Sequence, residues 1–386
     1  MKKVLLTAMA LLTIASASAF GMYGNADSWI DFLVHGNQLR ARMDQLGFTL
    51  GNGTIKGTFG FQGNTGGAIL NAFTGNQDKN DDWSKLEPTI SMGIGYTSPV
   101  FGIGVGYNYT MKNADGSGIH TPVLTINALN DNLRIAIPFQ IAYMTKEQQD
   151  ATRYNTFVPN GIKDYMGIRT DVQLRYYTGI DAFNAIRFYF KYGQSGFTSA
   201  GADATKYAAS SLGLELRLYF LNTTIGNVNV NPYLKLVYQT SIKGSSYDVG
   251  SYYNDTSSYY NTTVDAAPYS ADSTEDAGAY KFTIAPVLGL GANSDIVSVW
   301  FEPSIGYTVS GAKDSALRHQ LAWGAYAELY LTPVKDLEWY FEADVGNYGV
   351  SAGEGITAVK GSTDNGVKFA TSTGITWYLP SLGAAE

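Results

Sequence analysis

The chain has 386 residues, no cysteine, 15% charged residues and a formal net charge of -7. The lack of cysteine excludes a disulfide framework and a lipoprotein anchor, and the acidic balance without a basic face argues against a nucleic-acid partner. Its 43 Gly, 28 Tyr and 18 Phe suit short strands, turns and aromatic girdles.

At the start, Lys2 and Lys3 form a basic patch, residues 4–14 are apolar, and Ala17, Ser18 and Ala19 are small. This order predicts a signal peptide over residues 1–19, cut between Ala19 and Phe20, and too short to span a bilayer as a helix. Losing Lys2 and Lys3 takes the formal charge from -7 to -9. No later segment has an apolar run long enough for a membrane helix. A membrane location for residues 20–386 therefore requires a closed barrel, since only helices and barrels satisfy their backbone groups in lipid. No Pro-rich or charged linker divides residues 20–386, which read as one domain.

Residues 28–50 admit two readings. Leu39, Met43 and Leu46 recur at helical spacing, with Asn37 as a cap and Gly47 as a stop. The same segment precedes an Asn52-Gly53 hairpin signal and can supply that hairpin's first strand. A strand at 28–34 makes sixteen strands in all; a helix at 39–46 leaves fourteen, and bacterial single-chain barrels have even counts.

From residue 86 to 379 the chain repeats one pattern of about ten alternating residues followed by a stop. Phe101, Ile103, Val105, Tyr107 and Tyr109 fall on one face, with Gly102, Gly104, Gly106 and Asn108 on the other. The stops at 98–99, 130–132, 178–182, 222–229, 293–295 and 333–336 are tight. Between them lie longer polar stretches at 62–85, 145–164, 193–206, 242–279 and 348–365. Short turns on one rim and long loops on the other is the layout of an outer-membrane barrel. The stretch 242–279 is the longest and carries Asp248, Asp255, Asp265, Asp272, Glu275 and Asp276 against Lys243 alone. It is too polar to fold by itself and reads as a solvated surface loop.

Strand charges sort by face. Arg169, Asp171 and Arg175 lie opposite Ile168, Val172 and Leu174; Arg187 and Lys191 lie opposite Ile186, Phe188 and Phe190; Glu215 and Arg217 lie opposite Leu214, Leu216 and Leu218. In lipid a mid-bilayer Lys or Arg costs about 2–4 kcal/mol, so these charges are expected to line a wet interior. Exposed faces of soluble sheets would sort in the same way; the leader and the loop asymmetry favour the barrel. Arg134, Arg169, Arg175, Arg187 and Lys191 form a candidate basic wall, and Glu302, Glu328, Glu338, Glu342 and Asp344 a candidate acidic wall six strands further on. Two such walls would set a transverse field that favours small polar solutes. The alternative is that each charge pairs with a neighbour, as Glu215 with Arg217 or Asp171 with Arg169.

Enzyme signals are weak. His35, His120 and His319 are far apart and lack paired-ligand spacing. His319 falls on the apolar side of its strand near a rim, which suits a half-buried imidazole rather than a ligand. The Gly102, Gly104, Gly106 run continues as alternation instead of opening a helix, so these are strand glycines and not a phosphate loop. Residues 78–82 lack the spacing of a calcium loop, and the Asn261 sequon matters only in a host that glycosylates. Trp300, Trp323, Trp339 and Trp377 all lie on strands, the last three on the apolar side, as interfacial girdle residues do. No catalytic residue, cofactor or metal site is assigned.

Five blocks carry a family resemblance: Met1-Lys-Lys-Val-Leu-Leu-Thr7, Ala15-Ser-Ala-Ser-Ala-Phe-Gly-Met-Tyr23, Asp27-Ser-Trp-Ile-Asp-Phe32, Arg40-Ala-Arg-Met-Asp-Gln-Leu-Gly-Phe48 and Gly51-Asn-Gly-Thr-Ile-Lys-Gly-Thr-Phe-Gly-Phe61. With them the chain resembles the variable surface proteins of intestinal spirochaetes, the Serpulina type. The resemblance implies an abundant surface-exposed outer-membrane antigen, one of several related copies, with no catalytic or cofactor residues to carry over. One feature departs from many outer-membrane barrels: the last strand does not end the chain on an aromatic residue, and Trp377 is the nearest substitute.

The sequence thus predicts an all-β transmembrane antiparallel up-and-down barrel of an outer membrane, with about sixteen strands (fourteen the next choice). Its expected role is a variable surface antigen displaying acidic polar loops; the alternatives are a diffusion porin for small polar solutes and an adhesin for host mucus or glycan. Expected partners are outer-membrane lipid, host antibodies or surface ligands, and a further copy of the chain in a homo-oligomer. No cofactor is implied.

Overall fold

The structure, a computed structural model, describes residues 38–42, 45–62, 89–111, 118–151, 161–201, 204–243, 278–313, 316–347 and 367–378. The expected signal peptide with Ala19 and Phe20, the strand expected at 28–34, the 78–82 cluster, His35 and nearly all of the loops 62–85, 242–279 and 348–365 lie outside these residues.

Seventeen strands are described: β1 (Gln38–Arg42), β2 (Gln45–Gly51), β3 (Ile55–Gln62), β4 (Thr89–Thr97), β5 (Gly102–Met111), β6 (Gly118–Ala128), β7 (Leu133–Tyr143), β8 (Ile162–Ile180), β9 (Phe183–Ser199), β10 (Lys206–Tyr219), β11 (Thr223–Ile225), β12 (Val228–Lys243), β13 (Tyr280–Asn293), β14 (Val297–Gly311), β15 (Arg318–Val334), β16 (Leu337–Gly346) and β17 (Lys368–Tyr378). A short helix, α1 (Lys146–Ala151), follows β7. Each strand but β10 pairs antiparallel with the next, β10 pairing with β12 instead, and β1 pairs with both β2 and β17, so the sheet closes on itself. β10 and β11 meet the same partner, β12, end to end. Seventeen strands therefore fill sixteen positions, the even number expected of an up-and-down barrel.

Among the described residues the sixteenth position is filled by β1, and the helix considered for 39–46 does not form. Gln38 faces Thr49 and Arg42 faces Gln45, so residues 38–42 pair with residues 45–49 as the two arms of a hairpin. The outward alternation of Leu46, Phe48 and Leu50 carries more weight there than the helical spacing of Leu39, Met43 and Leu46. A second difference concerns 193–206. Its Gly, Gln and Ser residues suggested a loop, yet β9 runs to Ser199 and pairs as far as Thr198 with Lys206. Small polar residues on both faces carry no alternation signal, although their backbones complete the ladder.

The tight turns lie where the sequence places them. In the β2–β3 turn Asn52 Oδ1 accepts from the N–H of Thr54 at 3.0 Å and of Ile55 at 2.9 Å, while Gly53 takes φ 89°. The β6–β7 turn holds Leu129, Asn130 and Asp131 at φ 56°, 54° and 71°, with the N–H of Asn132 donating to the Leu129 carbonyl at 3.2 Å.

The wall is inside out compared with a water-soluble sheet protein. Along β5, Ile103 and Val105 are exposed while Gly102, Gly104, Gly106 and Asn108 are buried. Ile94 is 61% exposed, Ile305 58% and Leu321 60%, whereas Arg169, Asp171, Glu328 and Glu342 are at most 2% exposed. Apolar side chains thus cover the outside and polar ones the inside. The outward Trp339 and Trp377 are exposed, and Trp300 faces inward with its ring over Gly291.

Outward tyrosines meet the two described histidines. His120 on β6 bonds through Nδ1 to the Tyr107 hydroxyl and stacks on Tyr143 at 5.3 Å between ring centroids. His319 on β15 bonds to Tyr307 and stacks on its ring at 5.9 Å. It is exposed rather than half-buried, because it sits near the loop end of β15 on the face that no other element covers. Both pairs belong to an aromatic band on the outer surface.

Candidate functional site

The inward faces of β7 to β12 carry the densest set of charged and aromatic groups. Antiparallel register stacks them in rows that run from strand to strand. The row nearest the tight turns contains Tyr177, Ala185, Tyr219, Tyr233 and Val287, packed as an apolar cluster. Tyr219 and Tyr233 stack at 4.6 Å between centroids. The next row is cationic: Arg134 faces Arg175, Arg175 faces Arg187, Arg187 faces Arg217, and Arg217 faces Lys235. Above it run Ala136, Gln173, Tyr189, Glu215 and Val237. The row beyond contains Asp171 and Lys191, which face each other.

Tyrosine rings from both flanking rows lie against the cations. The Arg187 guanidinium is 4.6 Å from the Tyr219 ring centre, and that of Arg217 is 5.1 Å from Tyr189 and 5.8 Å from Tyr233. Arg134 lies 5.7 Å from Tyr177. Such contacts are worth about 0.5–2 kcal/mol each. Ion pairs occur at the two ends of the cationic row. Arg134 Nη2 meets Asp131 Oδ2 at 2.7 Å, and Glu215 Oε1 accepts from Arg217 Nε at 2.5 Å with Lys235 Nζ at 3.7 Å.

The acidic side chains sit on β14, β15 and β16. Glu302 accepts from the Tyr233 hydroxyl at 3.2 Å, and Glu328 from the Tyr326 hydroxyl at 2.5 Å. Tyr326 faces Glu302 on one side and Asp344 on the other, and Glu328 faces Glu342 directly. Glu338 stands nearer the tight-turn rim, opposite Thr376, and is only half-buried.

All ten residues picked from the sequence therefore lie on the inward face, five within β7–β9 and five within β14–β16. Arg134 is set apart from the other basic residues by its bond to a turn carboxylate. The Glu215–Arg217 pair follows the neighbour-pairing alternative. Lys235 was missed, as was the part of Arg217 in the basic row. With them the cations reach β12, two strand positions from Glu302, so the basic sector is broader than three strands and approaches the acidic one. The alternation of Tyr233, Lys235 and Val237 with Leu234 and Leu236 was the available signal. Tyr177, Tyr189, Tyr219 and Tyr233 were also missed, because a tyrosine in an alternating strand suits either face.

Comparison with known proteins adds the following. The Serpulina hyodysenteriae variable surface protein family model matches residues 2–378. Among solved structures the chain is similar to a loop L8 deletion mutant of OmpT, an outer membrane protein of Vibrio cholerae, with 12% identity, 89% of this chain and 97% of that chain covered, and a TM-score of 0.35. It is also similar to in-vitro folded OmpT of the same organism, with 10% identity, 89% and 97% coverage and a TM-score of 0.37, and to its trimer form, with 10%, 89%, 98% and 0.36. No curated protein matches the chain.

Proposed function

We propose that this chain, which belongs to the Serpulina hyodysenteriae variable surface protein family, resides in an outer membrane as one barrel of residues 20–386 and displays acidic, Tyr/Ser/Asn-rich loops to the host. The family is one of surface proteins and not of enzymes. The observation that carries the membrane reading is the inside-out wall, with exposed Ile, Leu, Val and Phe around a polar interior. In this reading residues 1–19 are the leader, removed after Ala19, and the inward Arg169, Arg175, Arg187, Glu328, Glu342 and Asp344 line a wet interior.

Display follows from how the two parts of the chain are constrained. Strand residues are fixed by the ladder and by the alternation of faces, so a one-residue slip would expose charge to lipid. Loop residues carry few such constraints and accept substitution and insertion, so the surface chemistry can drift while the barrel is kept. Residues 242–279 are the main displayed segment. Antibodies raised against that peptide are expected to label intact cells, and protease added outside is expected to cut within it. Labelling only after the cells are broken would contradict the display of this segment.

A further inference from the structure

Cations placed directly across a strand pair repel one another, and neighbouring strands are only about 4.7–4.9 Å apart. The row Arg134, Arg175, Arg187, Arg217, Lys235 repeats this juxtaposition four times in succession. Carboxylates bond to it at its two ends, Asp131 to Arg134 and Glu215 to Arg217 and Lys235. Arg187, at the centre, has an arginine across from it on both sides and a tyrosine ring at 4.6 Å. It is 8% exposed, and its Nε has no hydrogen-bond partner. Two residues along the same face of β9, the hydroxyl of Tyr189 is likewise buried without a partner, with the residue 5% exposed. Two buried donors on the same inward face, in a sector of positive charge, cost stability unless an acceptor meets them.

We propose that Arg187 and Tyr189, with Arg175 beside them on β8, form an interior binding site for a small oxyanion of the phosphate type. The guanidinium offers a planar fork of N–H donors that matches a tetrahedral oxyanion, and the phenol donates a further bond. A bound anion also offsets the repulsion along the row, which the tyrosine rings reduce but cannot neutralise. Tyr177 and Tyr219 close the site toward the tight-turn rim. The site is independent of the displayed loops, and the test does not require the barrel to conduct.

The experiment uses the full barrel refolded in detergent, with folding verified by heat-dependent mobility, and radiolabelled inorganic phosphate in equilibrium dialysis at low chloride. The expected result is saturable binding of about one phosphate per chain. Arg187→Gln is expected to weaken it about tenfold or more, the loss of a charged hydrogen bond, and Tyr189→Phe about threefold. Tyr189→Phe keeps the ring and the packing, so it decides the matter if Arg187→Gln fails to fold. Glu338→Gln, near the tight-turn rim of β16, is expected to leave binding unchanged. Absence of saturable phosphate binding by the folded wild type would overturn the proposal, as would equal binding by wild type and both β9 variants.

Discussion

Glu215→Gln is expected to destabilise the folded barrel by about 3–5 kcal/mol, the cost of breaking a buried charge pair from one side. Glu215 is 8% exposed and its Oε1 serves both Arg217 and Lys235, themselves 6% and 5% exposed. Glutamine keeps the shape and one acceptor oxygen but removes the negative charge. Arg217 and Lys235 then face each other across β10 and β12 without the carboxylate they share, in a row where Arg187 already stands beside Arg217. Reversible urea unfolding in detergent or vesicles would measure the effect as a shift of midpoint at constant slope. Glu215→Asp, which keeps the charge at a shorter reach, is expected to lose less. A loss below about 1 kcal/mol for Glu215→Gln would place the pair among the weakly contributing surface bridges and contradict the buried geometry.

The second large effect is expected on the other face. Val105 points outward from β5 and is 58% exposed. In water, arginine at such a position would be nearly neutral. Facing lipid, Val105→Arg is expected to cost about 2–4 kcal/mol, less if the side chain reaches an interface. Gln320, on the inward face of β15 and opposite Thr308, provides the comparison: Gln320→Arg is expected to stay within about 1 kcal/mol. The sign of the difference is what matters, because a soluble sheet protein with an apolar core would tolerate the outward change and not the inward one.

The parts of the fold legible in sequence were those with a strong alternation. β4 and β7 each stand between stops that the sequence marks, and Ile90, Met92, Ile94 and Tyr96, or Ile135, Ile137, Phe139 and Ile141, mark one face without interruption. Length was less legible. β8, β9 and β10 extend past their apolar cores into polar ends such as Gly193 to Ser199, where pairing continues although the apolar signal has ended. The start stayed open between two readings because Leu39, Met43 and Leu46 satisfy two periods at once, and only long-range pairing of β1 with β17 chooses between them. The charged residues were assigned to the correct face one strand at a time. Their alignment into a single row was not visible, because it depends on register between strands that are set by turn and loop lengths. The same is true of the tyrosines that sandwich the cations.

A barrel of an outer membrane turns its outward face to lipid tails and its inward face away from them. Tryptophan offers a direct reading, since Trp339 and Trp377 are 47% and 54% exposed on the outside while Trp300 points inward over Gly291. Single-tryptophan variants, with the other tryptophans changed to Phe, would be refolded into vesicles containing lipids brominated along the acyl chains. Fluorescence of Trp339 and Trp377 is expected to be strongly quenched and that of Trp300 to be nearly unchanged. Equal quenching at all three positions, or none at Trp339 and Trp377, would contradict the barrel's orientation toward the bilayer.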